Sequence, residues 1–406
     1  MMVDLSLEVC GKIFKNPVVV SSATPTKSAY YMKKAFDAGA GGAVAKSVTT
    51  EPLLQKYVRP RFTVLHKKGW PHVYSNYSCE FLSTIGPEVW LKEMKKTKEY
   101  AEDTGAVLIG SIVGRTFDEW GKLGKMMEEV GADMIELDLG CPHPRELHYK
   151  SSSEIGQDPE AAALVTKVVK EATTIPVFSK LTPEAVNVVT VAQAVEKAGA
   201  DGITAINRFP ALEVDIETGR PLLHSTFAGV GGPWMRPITL KWIAKLARSV
   251  KIPISATNGI ATWKDAVKCI MCGASTVQVC TAIMYSGKGY RVVSDIIKGM
   301  QEFMDRKGYK NINDFKGITL KQLLTFETVN REAKIWSVVD DKKCTGCKLC
   351  PNWCFYDAIT FETKNKKPIA TIDKRKCDGC GLCISLCPAQ AIHMEGKGPV
   401  FLGDFE

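Results

Sequence analysis

The sequence predicts an α/β protein in two parts: a (β/α)8 barrel over residues 1–310, then, past a linker at 311–336, a small α+β domain at 337–406. Three observations carry this reading. Eight apolar runs of strand length recur through roughly the first 306 residues, amphipathic helical patterns separate most of them, and the C-terminal stretch holds two cysteine runs of identical spacing.

The apolar runs lie at 18–22, 42–46, 107–112, 134–139, 177–181, 203–207, 254–257 and 277–280. They are continuous rather than alternating, as strands of a parallel sheet covered on both faces must be. Helical periodicity appears at 29–37, 93–102, 161–171, 186–198, 238–250 and 292–304, giving each segment one apolar stripe to lay on the sheet. Eight such units fit a closed barrel better than a doubly wound sheet, which has about six strands. No G-x-G-x-x-G follows any of these runs, and Gly39-Ala-Gly41-Gly42 sits at a helix exit, where glycine caps. A dinucleotide-binding domain within the chain is therefore not expected.

In a (β/α)8 barrel chemistry belongs at the C-terminal ends of the strands. The polar residues cluster there: Lys46-Ser47 after the second run, Ser111 at the third, Glu136-Leu-Asp138-Leu-Gly-Cys141 at the fourth, Lys180 and Thr182 at the fifth, Asn207-Arg208 at the sixth, Thr257-Asn258-Gly259 at the seventh and Cys280-Thr281 at the eighth. A single lysine at a strand end is commonly a surface residue with a buried stem; two, each directly after an apolar run, point to a site. Gly231, Gly232 and Gly259 fall where the last barrel loops approach one another, a place suited to a phosphoryl group held by backbone N–H donors.

The C-terminal runs read Cys344-Thr-Gly-Cys347-Lys-Leu-Cys350-Pro-Asn-Trp-Cys354 and Cys377-Asp-Gly-Cys380-Gly-Leu-Cys383-Ile-Ser-Leu-Cys387. Each is C-x2-C-x2-C-x3-C, the bacterial ferredoxin spacing for 4Fe–4S clusters, in which the fourth cysteine of one run ligates the other cluster. Cys344, Cys347, Cys350 and Cys387 are expected to hold one cluster, and Cys377, Cys380, Cys383 and Cys354 the second. Zinc also takes C-x2-C pairs, but it has no use for a third cysteine at the same short interval.

The rest of the composition excludes other classes. The chain has 406 residues, 45% of them hydrophobic, and 14 cysteines; the six outside the two runs are scattered and make no disulfide framework. With no signal peptide and no apolar run of membrane length, a reduced, cytoplasmic protein is expected, with no membrane association. The formal charge is +9, lowered by about 4 once eight thiolates hold two clusters. No basic stripe interleaved with aromatics is present, so no nucleic-acid partner is expected.

The set Asn16-Pro17, Ala23-Thr24-Pro25, Lys46-Ser47, Leu139-Gly-Cys141-Pro142-His143, Gly156-Gln-Asp158-Pro159, Lys180-Leu-Thr182-Pro183, Asn207, Ala256-Thr-Asn-Gly259-Ile260 and Val277-Gln-Val-Cys280 resembles the dihydroorotate dehydrogenase superfamily. With the two cysteine runs appended, the chain is most similar to the catalytic portion of dihydropyrimidine dehydrogenase. The resemblance implies FMN at the barrel mouth, with Ala23, Lys46, Lys180, Asn207, Thr257 and Asn258 around it and Gly232, Gly259, Cys280 and Thr281 at its phosphate. It further implies hydride transfer at flavin N5, electrons relayed by the clusters, and Cys141 as the acid/base of a mobile loop. A thiol with a pKa near 8.5 suits that work at neutral pH. A lone cysteine is commonly a buried structural residue, but Gly140 and Pro142 break the strand around this one, and the polar segment 144–153 reads as a lid. His143 and His148 are further proton carriers in the same loop.

Asp138, Asn207 and Arg208 are the expected substrate contacts, and here the chain departs from the pyrimidine-reducing pattern. That pattern has asparagine where this chain has Asp138, and threonine where it has Arg208. It also has an asparagine after the third strand that is absent from 110–120, and a glycine-rich lid that 144–153 does not match. An amide offers both donor and acceptor, whereas a carboxylate only accepts and a guanidinium only donates. Asp138 and Arg208 are alternatively a structural ion pair.

The expected function is reduction, or reversible oxidation, of a C=C bond in a pyrimidine-like cyclic substrate. The alternatives are a different, anionic conjugated substrate, or an electron-transfer subunit, which would have no need of Cys141. Electrons would come from a separate NAD(P)H-linked flavoprotein or a ferredoxin, and a homo- or hetero-oligomer is expected.

Overall fold

The computed structural model describes residues 3–69, 73–140, 152–224, 227–364 and 366–398. Cys141, His143 and His148 lie outside the described residues. Two compact units form, Met1–Gln322 and Leu323–Glu406.

In the first unit eight parallel strands close into a barrel in chain order: Val18–Val20, Gly42–Val44, Val107–Ile112, Met134–Asp138, Val177–Lys180, Gly202–Ala205, Ile254–Thr257 and Thr276–Val279. The eighth pairs with the first, Val277 opposite Val18. Nearly every residue of these strands is buried, since one face fills the barrel and the other meets helices, which is why the runs are continuously apolar. Several strands end one or two residues before the apolar run does, so Lys46, Leu181 and Asn207 stand just past the ladder.

Each strand is followed by a helix: Ala29–Asp37, Pro87–Thr104, Phe117–Glu129, Pro159–Ala172, Val188–Lys197, Arg236–Ala247, Trp263–Met271 and Arg291–Lys307. The third and seventh are absent from the sequence reading, although both carry start signals. Thr116 accepts from Glu119 N at one, and Thr262 and Asp265 form a reciprocal capping box at the other. A hairpin of Leu7–Val9 and Lys12–Phe14 brings Val9 and Phe14 against Val19, Val44, Ile109 and Phe178.

A four-stranded antiparallel sheet, ordered Phe209–Ala211, Ala228–Gly231, Ser75–Ser78, Phe62–Leu65, unites the insertions that follow the second and sixth barrel strands. Nothing in the sequence reading anticipated it, because its strands are short and its central pairing, Ala228–Gly231 with Ser75–Ser78, joins residues about 150 positions apart.

Residues 311–322, read as linker, pack on the barrel unit. Ile312 and Phe315 are buried, the Phe315 ring stacks on Tyr309 at 5.3 Å, and Gly317 N donates to Ile270 O at 2.9 Å. Ile318–Gln322 forms a short turn, and residues 321–332 are exposed. In the second unit Lys334–Val339 pairs with Ile392–Lys397, and Ile359–Lys364 with Lys367–Ile372. The first of these strands begins three residues before the boundary at 337 read from the sequence. Among the described residues no helix is long and apolar enough to cross a membrane.

Candidate active site and cluster-binding cysteines

At the C-terminal end of the barrel, residues from seven strand ends surround a recess of about 810 Å³, the open space at its mouth included. Ala23, Lys46, Asp138, Lys180, Asn207, Arg208, Thr257, Asn258, Gly259, Cys280 and Thr281 all line it. Gly232 stands just behind, its N–H donating to Asn258 Oδ1 at 3.2 Å.

Each buried lysine has its own carboxylate. Lys46 Nζ lies 2.9 Å from Glu80 Oε1, and Lys180 Nζ lies 3.1 Å from Glu136 Oε1. Burial works against the Lys180 ammonium, but Glu136 and Asp138 outweigh it and hold its pKa above the ordinary lysine value. Burial likewise pushes the Glu80 carboxyl up, and Lys46, Arg208 and the Thr24 hydroxyl overcome this and hold it below the usual carboxylate range. The ionisable groups divide unevenly between the two sides of the recess. On one side two cations, Lys46 and Arg208, share Glu80; on the other, two carboxylates, Glu136 and Asp138, share Lys180.

Glu136 is fixed from below by Thr204 Oγ1 and Gln278 Nε2, each donating to its Oε2 at 2.8 Å, while Ser21 Oγ donates to Gln278 Oε1 at 2.9 Å. This polar floor holds Lys180 in one place. The barrel interior tolerates it because its carboxylate, amide and hydroxyls satisfy one another.

Asp138 and Arg208 do not pair. Asp138 accepts from Asn207 Nδ2 at 3.3 Å and Ser47 Oγ at 3.4 Å, whereas Arg208 Nη1 donates to the Ser78 hydroxyl and, at 3.3 Å, to Gly229 O. The two face the recess from separate anchors. Ser78 sits on the inserted sheet, which is why the sequence offered no sign of this geometry.

Asn258 has a left-handed φ of 77°, and its amide also donates to Asn207 O at 3.3 Å, tying the sixth and seventh loops together. Gly259, at φ 81°, lies so close to the start of the helix Arg236–Ala247 that a Cβ would stand 2.5 Å from Arg236 N. The close approach requires glycine and brings that helix start to the recess. Burial pushes the Cys280 thiol up to about 12, with Glu80 adding to it, so this cysteine is a neutral wall.

Sequence reasoning missed Glu80 and Asn76 altogether, and gave no site role to Glu136 and Gln278. The last two carried a signal, a polar side chain inside an otherwise apolar strand. Glu80 and Asn76 carried none, since they come from the insertion after the second strand.

In the second unit the cysteines stand around two recesses. Cys344, Cys347, Cys350 and Cys387 line one of about 340 Å³, and Cys354, Cys377, Cys380 and Cys383 the other, of about 320 Å³. Among the described residues no group of three or more His, Cys, Asp or Glu side chains is placed to hold a single metal ion; the cysteines line the two recesses instead. Backbone N–H groups already point at them: Ala358 N to Cys354 Sγ at 3.4 Å and Ala391 N to Cys387 Sγ at 3.3 Å. Such donors stabilise thiolates.

The chain thus joins a (β/α)8 barrel with a charged mouth to an eight-cysteine module. Residues 4–304 match the dihydroorotate dehydrogenase family and residues 329–394 a 4Fe-4S dicluster domain. The chain belongs to the dihydroorotate dehydrogenase family, and within it is a dihydropyrimidine dehydrogenase-like oxidoreductase. It is 32% identical over 378 residues to the NAD-dependent dihydropyrimidine dehydrogenase subunit PreA of Escherichia coli (strain K12), covering 90% of this chain and 89% of that one. It is 36% identical over 317 residues to the dihydroorotate dehydrogenase B (NAD(+)) catalytic subunit of Pyrococcus abyssi, covering 78% of this chain and 99% of the relative. The corresponding subunit of Methanothermobacter thermautotrophicus is 33% identical over 315 residues, 77% of this chain and 98% of that one.

Proposed function

We propose that this chain binds FMN at the barrel mouth and two 4Fe–4S clusters in its C-terminal unit, and that it reduces or reversibly oxidises a C=C bond of a pyrimidine-like cyclic substrate. The observation that carries this is the pair of buried lysines, each held by its own carboxylate at the strand ends. FMN bound there would supply hydride to one carbon of the double bond.

The chain's own residues do the rest. Lys46 and Lys180 present fixed positive charge where a reduced ring is anionic, which is electrostatic stabilisation without reorganisation. Gly232, Gly259, Cys280 and Thr281 form the phosphate end, and Ala23, Thr257 and Asn258 the walls. Asp138, Asn207 and Arg208 read the substrate: the carboxylate takes an N–H, the guanidinium gives to a carbonyl, and the amide serves either. Cys141 gives the proton to the neighbouring carbon.

A second reading, a different conjugated substrate with an anionic group, is favoured by the two cations sharing Glu80 on one wall. Assaying the chemically reduced protein against uracil, thymine, orotate and unrelated enoates separates the two. Turnover confined to the unrelated enoates would overturn the pyrimidine reading.

The electron source is a separate NAD(P)H-linked flavoprotein or ferredoxin. NADH alone is expected to leave the flavin oxidised, and dithionite to bleach it; rapid bleaching by NADH would mean the chain holds its own nicotinamide site. Protein purified anaerobically is expected to contain about eight irons and one FMN per chain. Four irons or fewer after reconstitution would sink the two-cluster assignment.

A further inference from the structure

The two cysteine recesses are near mirror images, built from a repeat in the sequence. Residue 337 lies seven before Cys344, as residue 370 lies seven before Cys377. Ala358 lies four after Cys354, as Ala391 lies four after Cys387, and both donate their N–H to those sulfurs. The mirror fails at one buried position. Ser337 lines the recess of Cys354, Cys377, Cys380 and Cys383, whereas its counterpart Ala370 lines the other. Ser337 Oγ stands 3.4 Å from Cys383 Sγ, and its N–H donates to Cys377 Sγ at 3.4 Å. Among the described residues, Ala370 makes no bond of either kind to a cysteine of the first set.

We infer that Ser337 raises the reduction potential of the cluster held by Cys354, Cys377, Cys380 and Cys383, and leaves the other cluster unaffected. This rests on the proposal that both cysteine sets hold 4Fe–4S clusters. A ligating thiolate carries no proton, so in the contact with Cys383 the hydroxyl is the donor. A donor to a ligand sulfur favours the state with more negative charge, which is the reduced one, and so moves the potential upward. Ser337 is 2% exposed, so its dipole acts without competing water. Two charges break the mirror as well, Lys348 at the first recess and Asp378 at the second. Both are exposed and are screened by solvent and salt. They offset the serine in sign but belong to the surface, so their effect fades as ionic strength rises, while that of the serine persists.

The test is a redox titration of the full-length holoprotein followed by electron paramagnetic resonance at high ionic strength, resolving one midpoint for each cluster. Ser337→Ala is expected to lower one midpoint and leave the other in place, and Ser337→Thr, which keeps the hydroxyl, to hold the parent value. Ala370→Ser, which restores the mirror, is expected to raise the other midpoint. A Ser337→Ala protein in which neither midpoint falls, or both fall together, overturns the inference. Should that variant lose its clusters, Ala370→Ser decides: no rise in either midpoint overturns it equally. Iron analysis of the parent separates the two layers of argument, since fewer than two clusters there removes the cofactor reading itself, and the inference with it.

Discussion

Turnover is expected to fall by about 10²–10⁴-fold when Cys141 is replaced by alanine, the size of a positioned proton donor's contribution, with iron and FMN content unchanged. Serine at the same position should restore little, because a hydroxyl is a far weaker acid than a thiol. The fourth barrel strand leads into residue 141 through Gly140, whose N–H donates to Asp138 Oδ1 at 3.3 Å. A Cβ on that glycine would stand 2.5 Å from Asn207 Nδ2, so the strand runs out against a residue that lines the recess. The measurement is steady-state turnover of dithionite-reduced protein on its best substrate. Unchanged turnover in the alanine variant would pass the proton to another group, with His143 and His148 the next to replace.

Replacing Lys180 with methionine is expected to cost the barrel unit about 3–5 kcal/mol, the effect of stripping one partner from a buried ion pair. Glu136 is 1% exposed and would keep only its two neutral donors, Thr204 and Gln278. The same variant should bind FMN poorly, since it removes a fixed charge from the recess. Pairing it with Glu136→Gln should recover much of the stability without recovering FMN, because that substitution removes the stranded charge and supplies no new cation. Chemical denaturation of the single and double variants reads the first effect, and flavin content the second. A single variant as stable as the parent would show that the pair does not hold the barrel floor.

The departures from the pyrimidine-reducing pattern look different with the fold in hand. On sequence alone Asp138 and Arg208 read as substrate contacts, with a structural ion pair as the alternative. The structure separates them, because Arg208 is drawn toward Ser78 and Gly229 of the inserted sheet while Asp138 stays with Asn207 and Ser47. Both residues line the recess.

What the sequence by itself determined is whatever rests on local period and spacing. Eight apolar runs marked eight strands, because burial on both faces leaves no room for alternation. Two C-x2-C-x2-C-x3-C runs defined the cysteine sets, because three thiolates at that spacing and one from afar wrap a cubane. Lys46 and Lys180 stood out because an ammonium directly after an apolar run needs a reason. What only the tertiary structure decided is who meets whom across long separations. Glu80 reaches Lys46 from an insertion 34 residues on, and Gln278 reaches Glu136 across 142 residues of chain. The sheet joining residues 62–78 to 209–231 has no periodic signature in its short strands. Buried charges and amides choose partners by position in space, since each must be satisfied within about 3 Å of where the fold leaves it, and one-dimensional spacing carries no record of that choice.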